Sequence, residues 1–155
     1  MGYRNHNQGY YKPLHPEKYV KGKADAALDK KGIRFMSSWE LQTCKFLDMN
    51  PNVLRWSSEE ISIPYIKPTT NRVHKYFPDY WVEYKNKKGK IISELWEVKP
   101  DSQTKPPKGT GKNKTVQVRE SITWAINVAK WEAATLFCRK YGLKFRIVRE
   151  MDIFK

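Results

Sequence analysis

Two alternating, β-rich runs joined by a short turn constrain this chain more than any other feature. Tyr76-Phe77-Pro78-Asp79-Tyr80-Trp81-Val82-Glu83-Tyr84 reads as a strand entered through a Pro-Asp pair. Asn86-Lys87-Lys88-Gly89 supplies turn chemistry, and Ile91-Ile92-Ser93-Glu94-Leu95-Trp96-Glu97-Val98-Lys99 reads as the returning strand. A turn centred on residue 88 sets residue 79 opposite residue 97. Side chains alternate along a strand, so Glu97 and Lys99 share a face with Val98 behind them, and Glu94 faces the other way. Two carboxylates and an ammonium are therefore expected at one end of the hairpin. Adjacent carboxylates resist ionising together unless something offsets their charge. A divalent cation held by Asp79 and Glu97 is one remedy, and hard oxygen donors that leave room for water suit Mg2+ or Mn2+.

Around this hairpin the pattern predicts a mixed α/β domain. Ser37-Ser38-Trp39-Glu40 is a capping box, and Trp39, Thr43, Phe46 and Leu47 follow at helical spacing until Asn50-Pro51 stops the helix. Val53–Trp56 and Ile61–Ile63 read as short strands, and Pro64 and Pro68 confine the next segment to an edge or a turn. A long helix is expected from about Val118 to Tyr141, with Ile122, Ala125, Ile126, Ala129, Ala133, Leu136 and Phe137 as its apolar stripe. Gly142 stands where a left-handed cap belongs. Residues 143–149 alternate as a closing strand. The order helix, strands, long helix, strand, without an internal repeat, gives a single mixed β-sheet flanked by helices over residues 36–155.

Charge narrows the partner. The 155 residues carry 30 Lys+Arg against 16 Asp+Glu, a formal net charge of +14, so a polyanion, nucleic acid before membrane surface, is the leading expectation. A hydrophobic fraction of 39% with 14% aromatic residues supports a packed core rather than a disordered basic chain. Residues 1–35 read as a basic arm in which Tyr3, Tyr10, Tyr11 and Tyr19 alternate with Arg4, Lys12, Lys18 and Lys21; it either stacks on bases or wraps the domain. Residues 100–115 form a Pro/Gly/Lys loop carrying Lys105, Lys108, Lys112 and Lys114, long enough to imply function. It leaves directly from Lys99 and either folds over the site or leads away from it. Lys130 and Gln117 could reach phosphate from the long helix, and a solvated helix face explains them too.

Several motifs carry no chemistry. No apolar run approaches a membrane span or a secretion signal. Cys44 and Cys138 are too few for a disulfide scaffold and read as reduced, buried thiols. His6, His15 and His74 lack zinc spacing, and Gly109-Thr110-Gly111-Lys112 lacks the spacing of a phosphate loop. Glu59 and Glu60 read as solvated turn acids, Glu60 with a remote claim as a helper ligand. Glu40 is different: the capping box explains it fully without a metal, which makes it the weakest of the candidate site acids without removing it from them.

Pro78-Asp79 followed by Glu97-Val98-Lys99, with Glu40 on a preceding helix, resembles the PD-(D/E)XK nuclease superfamily, in particular its transposon-end-cutting and Holliday-junction-resolvase-like branches. Asn127, Lys130-Trp131, Ala134, Cys138 and the strand Phe145–Val148 are similar to those branches as well. The size, basic arm and layout look most like the head-completion nucleases of large contractile-tailed bacteriophages. The resemblance implies a restriction-endonuclease-like core, with Asp79, Glu97 and the Val98 carbonyl as ligands of Mg2+ (or Mn2+). Glu40 would be a further ligand, and Lys99 would orient water and neutralise the scissile phosphate. It implies a metal-dependent deoxyribonuclease of low sequence specificity, endonuclease or exonuclease, acting on double-stranded DNA. It further implies work in the host cytoplasm, with phage portal or neck proteins as partners. The rival readings are a non-catalytic DNA-binding or head-tail joining module on the same fold, and an RNA-binding β-platform. The second lacks a clear stacking face, because Tyr80, Val82 and Tyr84 oppose Trp81 and Glu83.

Overall fold

The computed structural model describes residues 8–20 and 32–153; Tyr3, Arg4, His6 and Lys21 lie outside them. In chain order the elements are β1 (Gly9–Tyr11), a 3-10 turn (Pro16–Lys18), β2 (Ile33–Phe35), α1 (Ser38–Met49), β3 (Val53–Ser58) and β4 (Ile63–Lys67). They continue with β5 (Arg72–Tyr76), β6 (Tyr80–Lys85), β7 (Ile91–Val98), a 3-10 turn (Asp101–Thr104), α2 (Lys114–Tyr141), β8 (Lys144–Val148) and α3 (Glu150–Ile153). The main sheet has the order β3-β6-β7-β8, antiparallel except for the β7–β8 pair, which α2 makes parallel by crossing over. The expected mixed sheet with flanking helices is therefore present.

Each face of that sheet carries its own core. Leu47 and Cys44 of α1 pack with Val53, Trp56, Tyr80, Val82, Trp96 and Val148. On the other face Ala134 and Cys138 of α2 pack with Leu95, Ile63, Tyr65 and Tyr76. Because helices cover both sides, β7 is buried without a break from Glu94 to Glu97. Ser37 Oγ accepts from the Glu40 N–H and Gly142 sits at φ 71°, as read from sequence; the Glu40 carboxylate, however, accepts from the Met36 N–H, one residue before the N-cap, so the capping box closes one residue early.

Other expectations need correction. Residues 76–84 are not one strand: the chain breaks at Phe77–Asp79, so Tyr76 ends β5 and Tyr80 begins β6 in a different sheet. The segment between the prolines forms a separate ribbon, β4–β5, with Ile63 opposite Tyr76 and Tyr65 opposite His74. Pro64 is tolerated because this two-stranded ribbon has free edges, and its ring is exposed. α2 starts at Lys114, capped by Asn113, so Lys114 belongs to the helix rather than the loop. Its buried face runs through Ile126, Ala133, Ala134, Phe137 and Cys138; Leu136 projects from the opposite side, and Ile122 is 44% exposed beside an open cavity. In α1 the buried side is Thr43, Cys44, Leu47 and Asp48, and Trp39 is 36% exposed.

The described part of the N-terminal segment lies on the domain. β1 pairs antiparallel with β2, and Gly32 permits it: at φ +96°, a Cβ there would stand 2.4 Å from the Tyr11 carbonyl oxygen. Asp48, fully buried near the end of α1, accepts from the Tyr11 hydroxyl (2.5 Å) and from the N–H groups of Leu14 (2.7 Å) and His15 (2.9 Å). Lys18 donates to the carbonyls of Asp48 and Asn50, two acceptors the helix end leaves open. Tyr19 is buried edge-on against Trp56, so its ring cannot meet a base; Tyr10 is half exposed. Asp48→Ala strands three donors at once and is expected to cost about 3 kcal/mol. Urea unfolding checks this, and an unchanged midpoint would mean the wrapped segment contributes nothing to stability.

Candidate active site

The register of β6 and β7 builds the site. Tyr80 faces Trp96, so one step further the chain brings Asp79 alongside Glu97. The Val98 N–H donates to Asp79 Oδ2 at 2.7 Å, which fixes the carboxylate at the strand's end. Glu97 is 8% exposed; its Oε2 accepts from the Tyr76 hydroxyl at 2.6 Å, and its Oε1 lies 3.6 Å from Lys99 Nζ. Lys99 itself is anchored through its N–H to the Val148 carbonyl of β8. Asp79, Glu97 and Lys99 thus converge on adjacent strand ends.

Burial raises the proton affinity of both acids. For Asp79, desolvation leads and the Glu97 charge adds to it, while the Val98 N–H and Lys99 oppose. For Glu97, desolvation again leads, opposed by the Tyr76 hydroxyl, Lys99 and Lys130. Glu40 contributes charge to Asp79 from α1, where its carboxylate accepts from the Met36 N–H and its carbonyl accepts from the Tyr80 hydroxyl. Cys44, beside that hydroxyl, has its thiol pushed up to about 12 by burial, which leaves it neutral and inert at ordinary pH.

The acid that sequence reasoning passed over is Glu59. Its N–H donates to the Asp79 carbonyl, and its backbone takes a left-handed conformation at φ 55°. Much of the residue is open to solvent. Its carboxyl is nonetheless pushed upward by desolvation and then by Glu40 and Glu97, with Arg34 opposing. An acid that looks in sequence like a solvated loop residue is thus within electrostatic range of Glu40 and Glu97. Glu94 is buried on the other face, accepting from Trp96 Nε1, with Arg146 3.8 Å away.

The cationic loop stands differently from the carboxylate pair. Its first turn is tied down by Arg149, which reaches Asp101, and by Glu150, which accepts from the Asp101 N–H. Lys105 pairs with Asp101 at 3.5 Å, and Lys112 pairs with Glu120. Lys114, sixteen residues before Lys130 on α2, lies about 24 Å from it along the helix axis. Lys130, by contrast, stands over the rings of Tyr65 (5.8 Å) and Tyr76 (5.5 Å), and its charge acts on Glu97.

Among the described residues no group of three or more His, Cys, Asp or Glu is spaced to hold a metal ion. Asp79, partly exposed, and the buried Glu97 nevertheless form a pair of hard oxygen donors, with the Lys99 ammonium 3.6 Å from Glu97 as compensating cation. That set fits a divalent ion that takes few protein ligands and keeps water for the rest.

Residues 50–150 match the family described as TnsA-like endonuclease N terminal. The chain belongs to the TnsA-like endonucleases. It is also similar to the head completion nuclease of Enterobacteria phage T4, with 34% identity over 126 residues, 79% of this chain and 81% of that protein. The family match spans β6, β7 and α2, and so contains Asp79, Glu97, Lys99 and Lys130, whereas Glu40 precedes it. Nucleases of the PD-(D/E)XK type use divalent metal ions, in keeping with the donor set of this TnsA-like site.

Because folding raises the proton affinity of Asp79, the folded state binds more protons than the unfolded chain above pH ~4, and stability falls as pH rises through the carboxylate's folded titration. In chelator at neutral pH, Asp79→Asn is expected to gain about 1 kcal/mol over the parent and to flatten that decline. Thermal unfolding across pH checks it; a less stable variant would show that the Asp79 charge is not a liability.

Proposed function

We propose that this protein is a divalent-metal-dependent DNA endonuclease of low sequence specificity that processes phage DNA during head completion and head-tail joining. The observation that carries the reading is the convergence of Asp79, Glu97 and Lys99 at the ends of β6 and β7. In this reading Asp79, Glu97 and the Val98 carbonyl hold Mg2+, with Mn2+ as a substitute, and Glu40 adds a carboxylate from α1. When bound, the ion supplies the positive charge that makes water nucleophilic and relieves charge on the phosphate. The water oxygen bonds to phosphorus as the bond to the leaving sugar oxygen breaks, and the proton ends in solvent or on that leaving group. Lys99 neutralises the scissile phosphate from a fixed position, since its backbone is bound to β8. Tyr76 orients Glu97 by donating to Oε2.

A basic surface brings duplex DNA to the site without reading bases. Lys108 and Lys114 are exposed and have no acid partner among the described residues, whereas Lys105 and Lys112 must first release theirs. The head-completion role is supported by the similarity to a phage head completion nuclease; action in the host cytoplasm and contact with portal or neck proteins are further parts of the same proposal.

Purified protein should nick and linearise covalently closed plasmid in Mg2+ and do nothing in chelator. Asp79→Asn, Glu97→Gln and Lys99→Ala should each lower the rate by at least about a hundredfold while melting as folded proteins. Loss of linear DNA alone would make the activity exonucleolytic, and no metal-dependent loss of either substrate would leave a joining module.

Glu40→Gln separates the two duties of that residue, because glutamine keeps the capping-box bond and loses the charge. The expected result is unchanged melting with cleavage that needs several-fold more Mg2+. Normal cleavage at limiting Mg2+ would restrict Glu40 to the cap.

A further inference from the structure

The β4–β5 ribbon stands outside the main sheet, yet its inner face is among the best-buried surfaces of the protein. Ile63, Tyr65 and Tyr76 are 1%, 7% and 4% exposed against α2, while Ile66 and Val73 on the outer face are 59% and 70% exposed. The two buried tyrosines converge on the same cation. Lys130 Nζ stands 5.8 Å from the Tyr65 ring centroid and 5.5 Å from that of Tyr76, whose hydroxyl is bonded to Glu97. Among the described residues Lys130 has no carboxylate within ion-pair distance and no hydrogen-bond acceptor, unlike Lys99, Lys105 and Lys112. An ammonium braced on two aromatic faces is held in place without spending its N–H donors. It is half-buried beside a carboxylate it influences but does not touch.

We propose that Lys130 is a substrate-positioning lysine that binds the DNA phosphate next to the one being cut, and that the β4–β5 ribbon is the wall that aims it. The proposal rests on the nuclease reading and extends it from the hairpin end to α2. Lys99 approaches Glu97 from the end of β7 and Lys130 from the helix, so two cations flank the carboxylates from different elements. One phosphate can take one of them, and the backbone of a single strand offers a second phosphate to the other. A lysine acts on phosphate as a point charge and reads no base, in keeping with low sequence specificity.

The test uses the full chain and a short duplex, with affinity measured in Ca2+ over a salt series and turnover measured in Mg2+. Lys130→Met should weaken duplex binding about tenfold and reduce the slope of log K against log salt by about 1, as the loss of one phosphate contact requires. It should raise KM with kcat within about threefold, and Lys130→Arg should recover both. Tyr65→Leu, which removes one brace and leaves the charge, should raise KM with the salt slope unchanged. If the Met variant does not melt as a folded protein, Lys130→Gln takes its place. A parent-like slope with kcat lost would make Lys130 a charge partner of Glu97 and overturn the proposal, as would parent-like values of both. If the parent itself neither binds duplex in a salt-dependent way nor cleaves it, the nuclease reading fails instead.

Discussion

Holding Asp79 against the buried Glu97 is unfavourable, and the surroundings of the pair show how the fold sustains it. Both acids have their proton affinity raised, desolvation being the leading cause. Against that cost stand the Val98 N–H on Asp79, the Tyr76 hydroxyl and Lys99 on Glu97, and a strand covered on both faces by helices. The backbone of both acids is held in place, because Tyr80 and Trp96, their neighbours in register, are fixed in the α1 core. The site is thus strained electrostatically and rigid sterically. That combination favours a bound cation over a proton, since a proton would neutralise only one acid of the two.

The parts legible in sequence are those in which local chemistry and global fold agree. The turn at Asn86–Gly89 with alternating flanks set the β6–β7 register, and through it the pairing of Asp79 with Glu97. Ser37, Glu40 and Gly142 announced the helix ends they occupy. The parts that escaped depend on distant partners. Tyr76 looks continuous with Tyr80, and only the turn at Phe77–Asp79 assigns it to another sheet. Pro64 argued against a strand, although its alternation with buried Ile63 and Tyr65 is that of an edge ribbon. Asp48 reads as a polar residue near a helix end, and its three donors lie more than thirty residues away. Glu59 takes a left-handed backbone that nothing in its sequence demands, and its charge interacts with those of Glu40 and Glu97.

The distribution of charge follows from the same pair. The chain carries +14 overall, yet at one end of the sheet the charges of Glu97 and Glu40 act on both Asp79 and Glu59. A phosphate drawn toward the protein by its general field therefore meets like charge at the last step, where screening by salt is weakest. Cations bordering that acidic pocket have to be near enough to receive a phosphate and placed so that they do not simply collapse onto the carboxylates. Lys99 meets the first condition only: held at the strand's end by its N–H bond to Val148, its ammonium is ion-paired with Glu97 at 3.6 Å. Lys130 is restrained by two rings rather than by an acid. The tyrosines of the β4–β5 ribbon thus address an electrostatic problem with apolar surface: an aromatic face attracts an ammonium without neutralising it, and leaves its charge for an incoming anion.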